Sequence, residues 1–310
     1  MRYEYEMYSI DALEKFYRDS RFNSGYMANG IIEEINCGRH QFFYGYFPEY
    51  VEEIGEGIDF VMLDTMHILP GELLDFLAML PYLKDGAVVC IHDISLNQRI
   101  RGFDLSVATN VLYSSVVAQK LLEFDTEKII GLDYPNIGMF IVNDDTRKYI
   151  KNIFLACVLS WSYMPIARVM KLYFDLLNKS YNAEEMRIFK SAYIMNLVRM
   201  YALPEERLHK GARIAVYGAG NLGLSYVVQI QNAKKYELVY WIDKNAEKLE
   251  SLIDVKPCKL QKIQSHDVDF VVIAVNDINV RQEIYDDLLV NGFEKTQIVY
   301  EGMGSEERIY

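Results

Sequence analysis

The stretch Ile58–Leu96, IDFVMLDTMHILPGELLDFLAMLPYLKDGAVVCIHDISL, decides the fold of the chain. Its segments Ile58–Leu63 and Ala87–Ile91 are apolar runs typical of buried strands. The segment between them has apolar residues at helical spacing, namely Leu73, Leu74, Leu77, Leu80 and Leu83. A strand, a helix and a second strand in this order predict a parallel crossover unit.

Polar residues follow both predicted strands. Asp64 ends the first strand and is followed three residues later by His67, while His92 and Asp93 end the second. Ligands of open parallel sheets bind beyond the carboxyl ends of the strands, so these four side chains are expected in one crevice. The alternative is structural, with Asp64 capping a strand end and His67 entering the helix.

Length and composition limit the classes of function. A chain of 310 residues suits two domains, and 32 basic against 44 acidic residues give a net charge of −12, which disfavours a nucleic-acid partner. The four cysteines are widely spaced and show no paired ligand spacing, which favours buried free thiols in a reducing cytosol over disulfides or zinc: Cys37, Cys90, Cys157 and Cys258. No signal peptide or membrane span is apparent, so a soluble cytoplasmic protein is expected.

The predicted fold is α/β, with two Rossmann-like three-layer domains joined by a helical connector. The expected boundaries are 1–144, 145–210 and 211–310. In the first domain the pattern predicts strands at Tyr5–Ile10, Gln41–Tyr44, Lys128–Gly131 and Ile137–Val142, and helices at Ala12–Arg18, Met27–Ile35, Pro48–Ile54 and Val107–Leu122.

The C-terminal domain opens on a glycine motif. Strand Arg213–Tyr217 is followed by Gly218, Gly220 and Gly223 at G-x-G-x-x-G spacing, and Asp243 lies twenty residues after the last glycine. Such glycines allow a phosphate to approach a helix N-terminus, and the acid can bind ribose hydroxyls, so a nucleotide or NAD is the expected ligand. A turn retained without a ligand is the competing interpretation.

The segments DFVMLDTMH (Asp59–His67) and LPYLKDGAVVCIHDI (Leu80–Ile94) resemble the second half of class I S-adenosylmethionine-dependent methyltransferases, with weaker similarity from Tyr5 to Val142. The C-terminal module resembles the nucleotide-binding-like domain found at the end of several sugar-modifying methyltransferases and beside sugar acyltransferases. This similarity covers about Ala212–Tyr300.

The first resemblance implies roles for individual residues. Asp11, at the end of the strand at Tyr5–Ile10, matches the acid that binds the ribose of S-adenosylmethionine, although it could equally cap the helix predicted from Ala12. Some members of this group are metal-dependent sugar O-methyltransferases. Similarity to them implies that Asp64 lies beside the cofactor and is a metal ligand, that His67 is the general base and that Asp93 is a second metal ligand. His92 stands where those enzymes have an acid, which favours manganese or zinc over magnesium as the divalent cation.

The resemblance also raises an expectation about the sheet. The family's first strand and glycine-rich turn would lie before Tyr5, where only four residues stand. Tyr5–Ile10 and Ile58–Leu63 could then pair directly, receive a strand from another copy in a homo-oligomer, or leave the position open. The chain as given is therefore expected to bind S-adenosylmethionine weakly or not at all.

Three functions follow from these observations. The first is O-methylation of a sugar or another small hydroxylated substrate by S-adenosylmethionine, in a polysaccharide or secondary-metabolite pathway. The second is a non-catalytic protein that binds a nucleotide or nucleotide sugar, or assists assembly. The third is an NAD-dependent oxidoreductase that uses the C-terminal module.

Overall fold

The computed structural model describes residues 5–27, 40–94, 108–124, 137–248 and 253–301. The chain forms two compact units, Met1–Phe189 and Lys190–Tyr310. Both are α/β, with sheets rich in parallel strands and flanking helices, as the sequence predicts.

The first unit contains six described strands in two sheets. The strands are β1 (Met7–Asp11), β2 (His40–Tyr44), β3 (Ile58–Leu63), β4 (Leu83–His92), β5 (Gln119–Phe124) and β6 (Ile137–Ile141). One sheet pairs β1 with β2 in parallel, and the other has the order β3-β4-β6-β5. In the second sheet β3 and β4 are parallel, while β6 is antiparallel to both of its neighbours.

The predicted crossover unit is confirmed. The helix α2 (Gly71–Met79) connects β3 to β4, preceded by α1 (Phe47–Ile54) between β2 and β3. All five leucines that defined the helical spacing are at most 4 % exposed. Helix α2 turns Leu73, Leu74 and Leu77 inward, whereas Leu80 lies in the 3-10 turn that follows and Leu83 begins β4, so the helix is shorter than the spacing predicts.

Direct pairing of β1 with β3 does not occur in the part of the chain that the structure describes. There β1 has β2 as its neighbour and β3 has β4, in separate sheets. Phe60 and Met62 lie on the same face of β3, and 56 % and 52 % of their surface is exposed. Of the three outcomes expected from the sequence, closure of the sheet by direct pairing is therefore excluded for these residues.

Two local predictions in the first unit are wrong. Residues 12–18 form turns instead of a helix, with an isolated antiparallel bridge between Lys15 and Asn23. The helix predicted over Val107–Leu122 ends early: α3 is Ala108–Ser115, and β5 follows as the partner of β6. The sequence QKLLEF suits either structure by propensity, and pairing with β6 decides for the strand. The predicted segments Met27–Ile35 and Lys128–Gly131 lie largely or wholly outside the described residues.

Four helices follow β6, in the region where the sequence predicts a helical connector of two or three segments. They are α4 (Asp144–Lys148), α5 (Lys151–Ala156), α6 (Ala167–Ser180) and α7 (Ala183–Met200). The three breaks fall at Tyr149–Ile150, near Pro165 and at Asn182, whose side chain accepts hydrogen bonds from the first turn of α7. The boundary between the two units lies within α7.

The second unit has a four-stranded parallel sheet of order β10-β9-β7-β8. Its elements are β7 (Arg213–Tyr217), α8 (Asn221–Ala233), β8 (Glu237–Ile242), β9 (Phe270–Ile273), α9 (Ile278–Val290) and β10 (Ile298–Tyr300). The strand–turn–helix–strand order around the glycine motif is as predicted. The apolar strand β7 has a parallel neighbour on each edge, β8 and β9.

Candidate functional site

The site lies where β3 and β4 end. The two strands are parallel, so Asp64 after β3 and His92 and Asp93 at the end of β4 reach the same edge of the sheet. His67 follows in the turn that leads to α2. His67 and Asp93 both have left-handed backbone conformations, with φ of 56° and 55°, which non-glycine residues seldom adopt.

The start of α3 supports both turns. The backbone N–H of Ala108 donates to the carbonyl of His67 at 2.8 Å, and the Thr109 hydroxyl donates to the carbonyl of Asp93 at 2.8 Å. Thr109 is fully buried. Two turns with unusual backbone conformations are thus held by one helix end.

The four side chains named from the sequence converge. Asp64 Oδ1 lies 3.2 Å from His67 Nε2 and 3.3 Å from His92 Nδ1. Asp93 Oδ2 lies 3.6 Å from His67 Nε2 and 3.7 Å from His92 Nδ1. Two carboxylates and two imidazoles therefore face one small volume, which we call the Asp–His cluster.

Charge pairing shifts the pKa values inside the Asp–His cluster. The hydrogen bond with His67 is the largest cause that lowers the pKa of Asp64. The pKa of His67 is raised to about 10, first by its hydrogen bond to Asp64 and next by its hydrogen bond to Glu72. Without a cation His67 is therefore protonated at neutral pH, and it becomes a base only when another positive charge neutralises these carboxylates.

The Asp–His cluster fits a divalent cation. Asp64, His67 and His92 each offer one ligand atom, and these atoms lie within 4.8 Å of one another. Side-chain separations of 3.2–3.7 Å suit donors arranged around one ion. Because imidazole nitrogen is among the donors, manganese, iron or zinc suits the cluster better than magnesium.

Glu72 is a site residue that the sequence pattern missed. Its side chain is fully buried, and its Oε1 lies 3.0 Å from His67 Nδ1 and accepts the backbone N–H of His67 at 2.8 Å. The only available signal in the sequence was a glutamate at the start of a helix that is otherwise apolar on that side.

A second acid, Asp75, lies one turn further along α2. Burial raises the pKa of Asp75 to about 6, and the Tyr173 hydroxyl donates a hydrogen bond to it.

Asp11 is placed at the end of β1, as predicted, but it caps no helix. Its Oδ1 accepts the backbone N–H of Leu13 at 2.8 Å, which closes a turn of the Asx type. The second carboxylate oxygen makes no hydrogen bond to the described residues, so it is available for a ligand.

In the second unit Asp243 holds the glycine-rich turn. Its Oδ2 accepts the backbone N–H of Ala219 at 2.9 Å, and its Oδ1 accepts the N–H of Asn245 at 2.7 Å. The structure therefore brings the predicted acid to the predicted glycines. Both carboxylate oxygens of Asp243 accept backbone N–H groups, and a turn with a purely structural role would show the same contacts.

The three glycines differ in what the fold requires of them. A Cβ on Gly223 would lie 1.8 Å from the Gly218 carbonyl oxygen, and one on Gly218, where φ is 118°, would lie 2.5 Å from the Ala274 carbonyl oxygen. A Cβ on Gly220 would meet nothing within 4 Å. Packing thus explains Gly218 and Gly223, but it does not explain Gly220.

Residues 3–94 match the model of a methyltransferase domain, a region that runs from β1 to the end of β4 and includes the whole Asp–His cluster. Residues 213–288 match the model of the PglD N-terminal domain, which is related to acetyltransferases rather than specific to nucleotide binding. No curated protein matches the chain significantly.

In the described ranges of the chain, every helix is too short or too polar to cross a bilayer.

Proposed function

We propose that the first unit transfers a methyl group from S-adenosylmethionine to a hydroxyl of a small molecule, with a sugar as the preferred substrate class. The observation that carries this proposal is the convergence of Asp64, His67, His92 and Asp93 inside the segment that matches the methyltransferase domain.

Methyl transfer to a hydroxyl needs a route for the hydroxyl proton. A divalent cation held by Asp64, His92 and Asp93 would lower the pKa of a bound hydroxyl. The same charge would offset the carboxylates that keep His67 protonated, so that its Nε2 can accept the proton. S-adenosylmethionine supplies the electrophilic methyl group, with Asp11 and Asp64 as the proposed cofactor-binding acids.

The strand pairing of the described residues is compatible with this cofactor. Direct pairing of β1 with β3 would remove the space for its methionine part, and the described strands lie in separate sheets. Asp11 also keeps one carboxylate oxygen free of protein hydrogen bonds in the described structure, as a ribose-binding acid requires.

Transfer of a radiolabelled methyl group from S-adenosylmethionine to a panel of sugars and other hydroxylated small molecules, with Mn²⁺ present, tests the proposal. Labelled product with any acceptor supports it. Binding of a nucleotide alone, with no labelled product across the panel, would favour the non-catalytic function, and cofactor-dependent hydride transfer would favour the oxidoreductase.

For the second unit we propose binding of a nucleotide or nucleotide sugar at Gly218–Gly223, with Asp243 supporting the turn. The observation that favours it is Gly220, which neither packing nor its φ of −80° requires to be glycine. A glycine there lets a phosphate approach the first turn of α8 closely.

The paired substitutions Gly220→Ala and Gly223→Ala separate binding from folding. Gly220→Ala is expected to leave the thermal stability of the second unit unchanged and to abolish UDP-sugar binding measured by calorimetry. Gly223→Ala is expected to lower the melting temperature, because its Cβ would overlap the backbone of Gly218. Equal nucleotide binding by the Gly220 variant and the wild type would show that the turn is only structural.

A further inference from the structure

Glu72 is a charged side chain in an apolar setting. It lies in the first turn of α2 with none of its surface exposed, among the buried residues Leu73, Leu74 and Phe76. An ionised carboxylate removed from water is costly unless it is paired and hydrogen-bonded. The contacts of the Glu72 carboxylate therefore indicate its role.

Those contacts converge on the turn that carries His67. Glu72 Oε1 accepts the backbone N–H groups of His67 at 2.8 Å and of Thr65 at 3.3 Å, and it lies 3.0 Å from His67 Nδ1. One oxygen thus holds both the backbone and the ring of His67. Non-glycine residues seldom adopt the left-handed backbone of His67, so it persists only where such contacts hold it.

The other oxygen of Glu72 has no comparable role. Oε2 is buried and has no hydrogen-bond partner among the residues that the structure describes. Every hydrogen bond of this carboxylate given by the structure therefore goes to the turn Thr65–His67. A glutamate kept for general packing would satisfy both oxygens or be replaced by an apolar residue.

We propose that Glu72 is a positioning residue that fixes the rotamer and tautomer of His67, so that Nδ1 carries its proton toward Glu72 and Nε2 faces Asp64 and Asp93. The two nitrogens of a neutral imidazole are distinct, and the partner of one decides what the other can do. Nε2 lies 3.2 Å from Asp64 Oδ1 and 3.6 Å from Asp93 Oδ2, where the acceptor hydroxyl and cation are proposed. The consequence for methyl transfer rests on the proposed function, whereas the orientation of the ring does not.

Nuclear magnetic resonance of the histidine ring N–H groups tests the orientation directly. The chain has five histidines, and the His67 signals are assigned by their loss in His67→Asn. The wild type is expected to show an exchange-protected, strongly deshielded Nδ1–H of His67, which disappears in Glu72→Ala. Glu49→Gln is the matched control, because Glu49 also accepts a backbone N–H in a first helical turn but lies outside the Asp–His cluster.

Kinetics separate positioning from a purely structural role. We expect kcat for methyl transfer to fall about 10-fold in Glu72→Gln, which keeps an acceptor oxygen, and about 100-fold in Glu72→Ala, with KM for S-adenosylmethionine unchanged. Circular dichroism and melting curves identify the folded fraction. If Glu72→Ala does not fold, Glu72→Gln supplies both readouts, with a shifted Nδ1–H signal as its expected result.

Persistence of the wild-type Nδ1–H signal in the Glu72 variants, or an unchanged kcat in folded variants, would overturn the proposal. Loss of the signal in a protein whose wild type transfers no methyl group would support the positioning of His67 and reject the proposed function. The two failures are thereby distinguishable.

Discussion

His67→Asn is expected to lower kcat for methyl transfer by about 10²–10⁴-fold, the range that a positioned general base supplies. Asparagine is chosen because it tolerates the left-handed backbone that His67 adopts and cannot accept the proton as imidazole does. The measurement is the initial rate of labelled methyl transfer at saturating S-adenosylmethionine. His266→Asn, at an exposed histidine of the second unit, is the matched control and should leave the rate unchanged.

The same variant distinguishes a base from a metal ligand. If His67 is the base, Mn²⁺ affinity should not fall in this variant and should rise near neutral pH, because the competing imidazolium is gone, while kcat falls. Combined loss of cation affinity and activity would instead identify His67 as a ligand, a role that its Nε2, 3.2 Å from Asp64 Oδ1, could fill geometrically.

Asp64→Asn is expected to weaken Mn²⁺ binding by at least about tenfold, because it removes the carboxylate that lies within 3.3 Å of a ring nitrogen of both His67 and His92. Asp59→Asn is the control, since Asp59 is exposed and pairs with Lys84 at the other end of β3. His92→Asp should move the preference from Mn²⁺ toward Mg²⁺ by replacing nitrogen with oxygen. Calorimetry with each ion measures these changes. Equal affinities in the Asp64 variant and the wild type would contradict a cation site here.

Cation binding is also expected to release a proton. In the cation-free protein the pKa of His67 is about 10, above its ordinary value of 6.5, so the ring is charged at pH 8. A cation competes with this proton for the same carboxylates, and apparent affinity should therefore rise as pH increases toward 10. Titrations at pH 8 in two buffers of different ionisation enthalpy measure the number of protons released. A value near zero would show that His67 does not share its carboxylates with the ion.

The sequence predicts the location of site residues that directly follow a strand. Asp64, His92 and Asp93 could be placed together because parallel strands end at one edge of a sheet, and Gly218, Gly220 and Gly223 because their spacing defines a turn. Glu72 could not be placed, since its role depends on the turn between β3 and α2 folding back on the start of the helix. Strand β5 was predicted as helix because its pairing with β6 is a non-local contact that local periodicity does not report.

The structure also adds to what the sequence predicts for His67 and Asp11. His67 was expected to be a base from its resemblance, and the structure surrounds it with three carboxylates, Asp64, Glu72 and Asp93, that keep it protonated. Asp11 was expected either on a ribose or on a helix cap. It closes a turn instead of a helix, which leaves one oxygen for the first role.

Titration of S-adenosylmethionine into the 310-residue chain with Mn²⁺ present is the most direct test of the claim that the first unit binds this cofactor for methyl transfer. We predict saturable binding that is weaker than low micromolar, because β3 is an edge strand in the described structure and no described strand completes the sheet beside it. Asp11→Asn should weaken it further, whereas Asp59→Asn should not. Absence of saturable binding at millimolar S-adenosylmethionine, or equal binding by the Asp11 variant, would contradict the assignment.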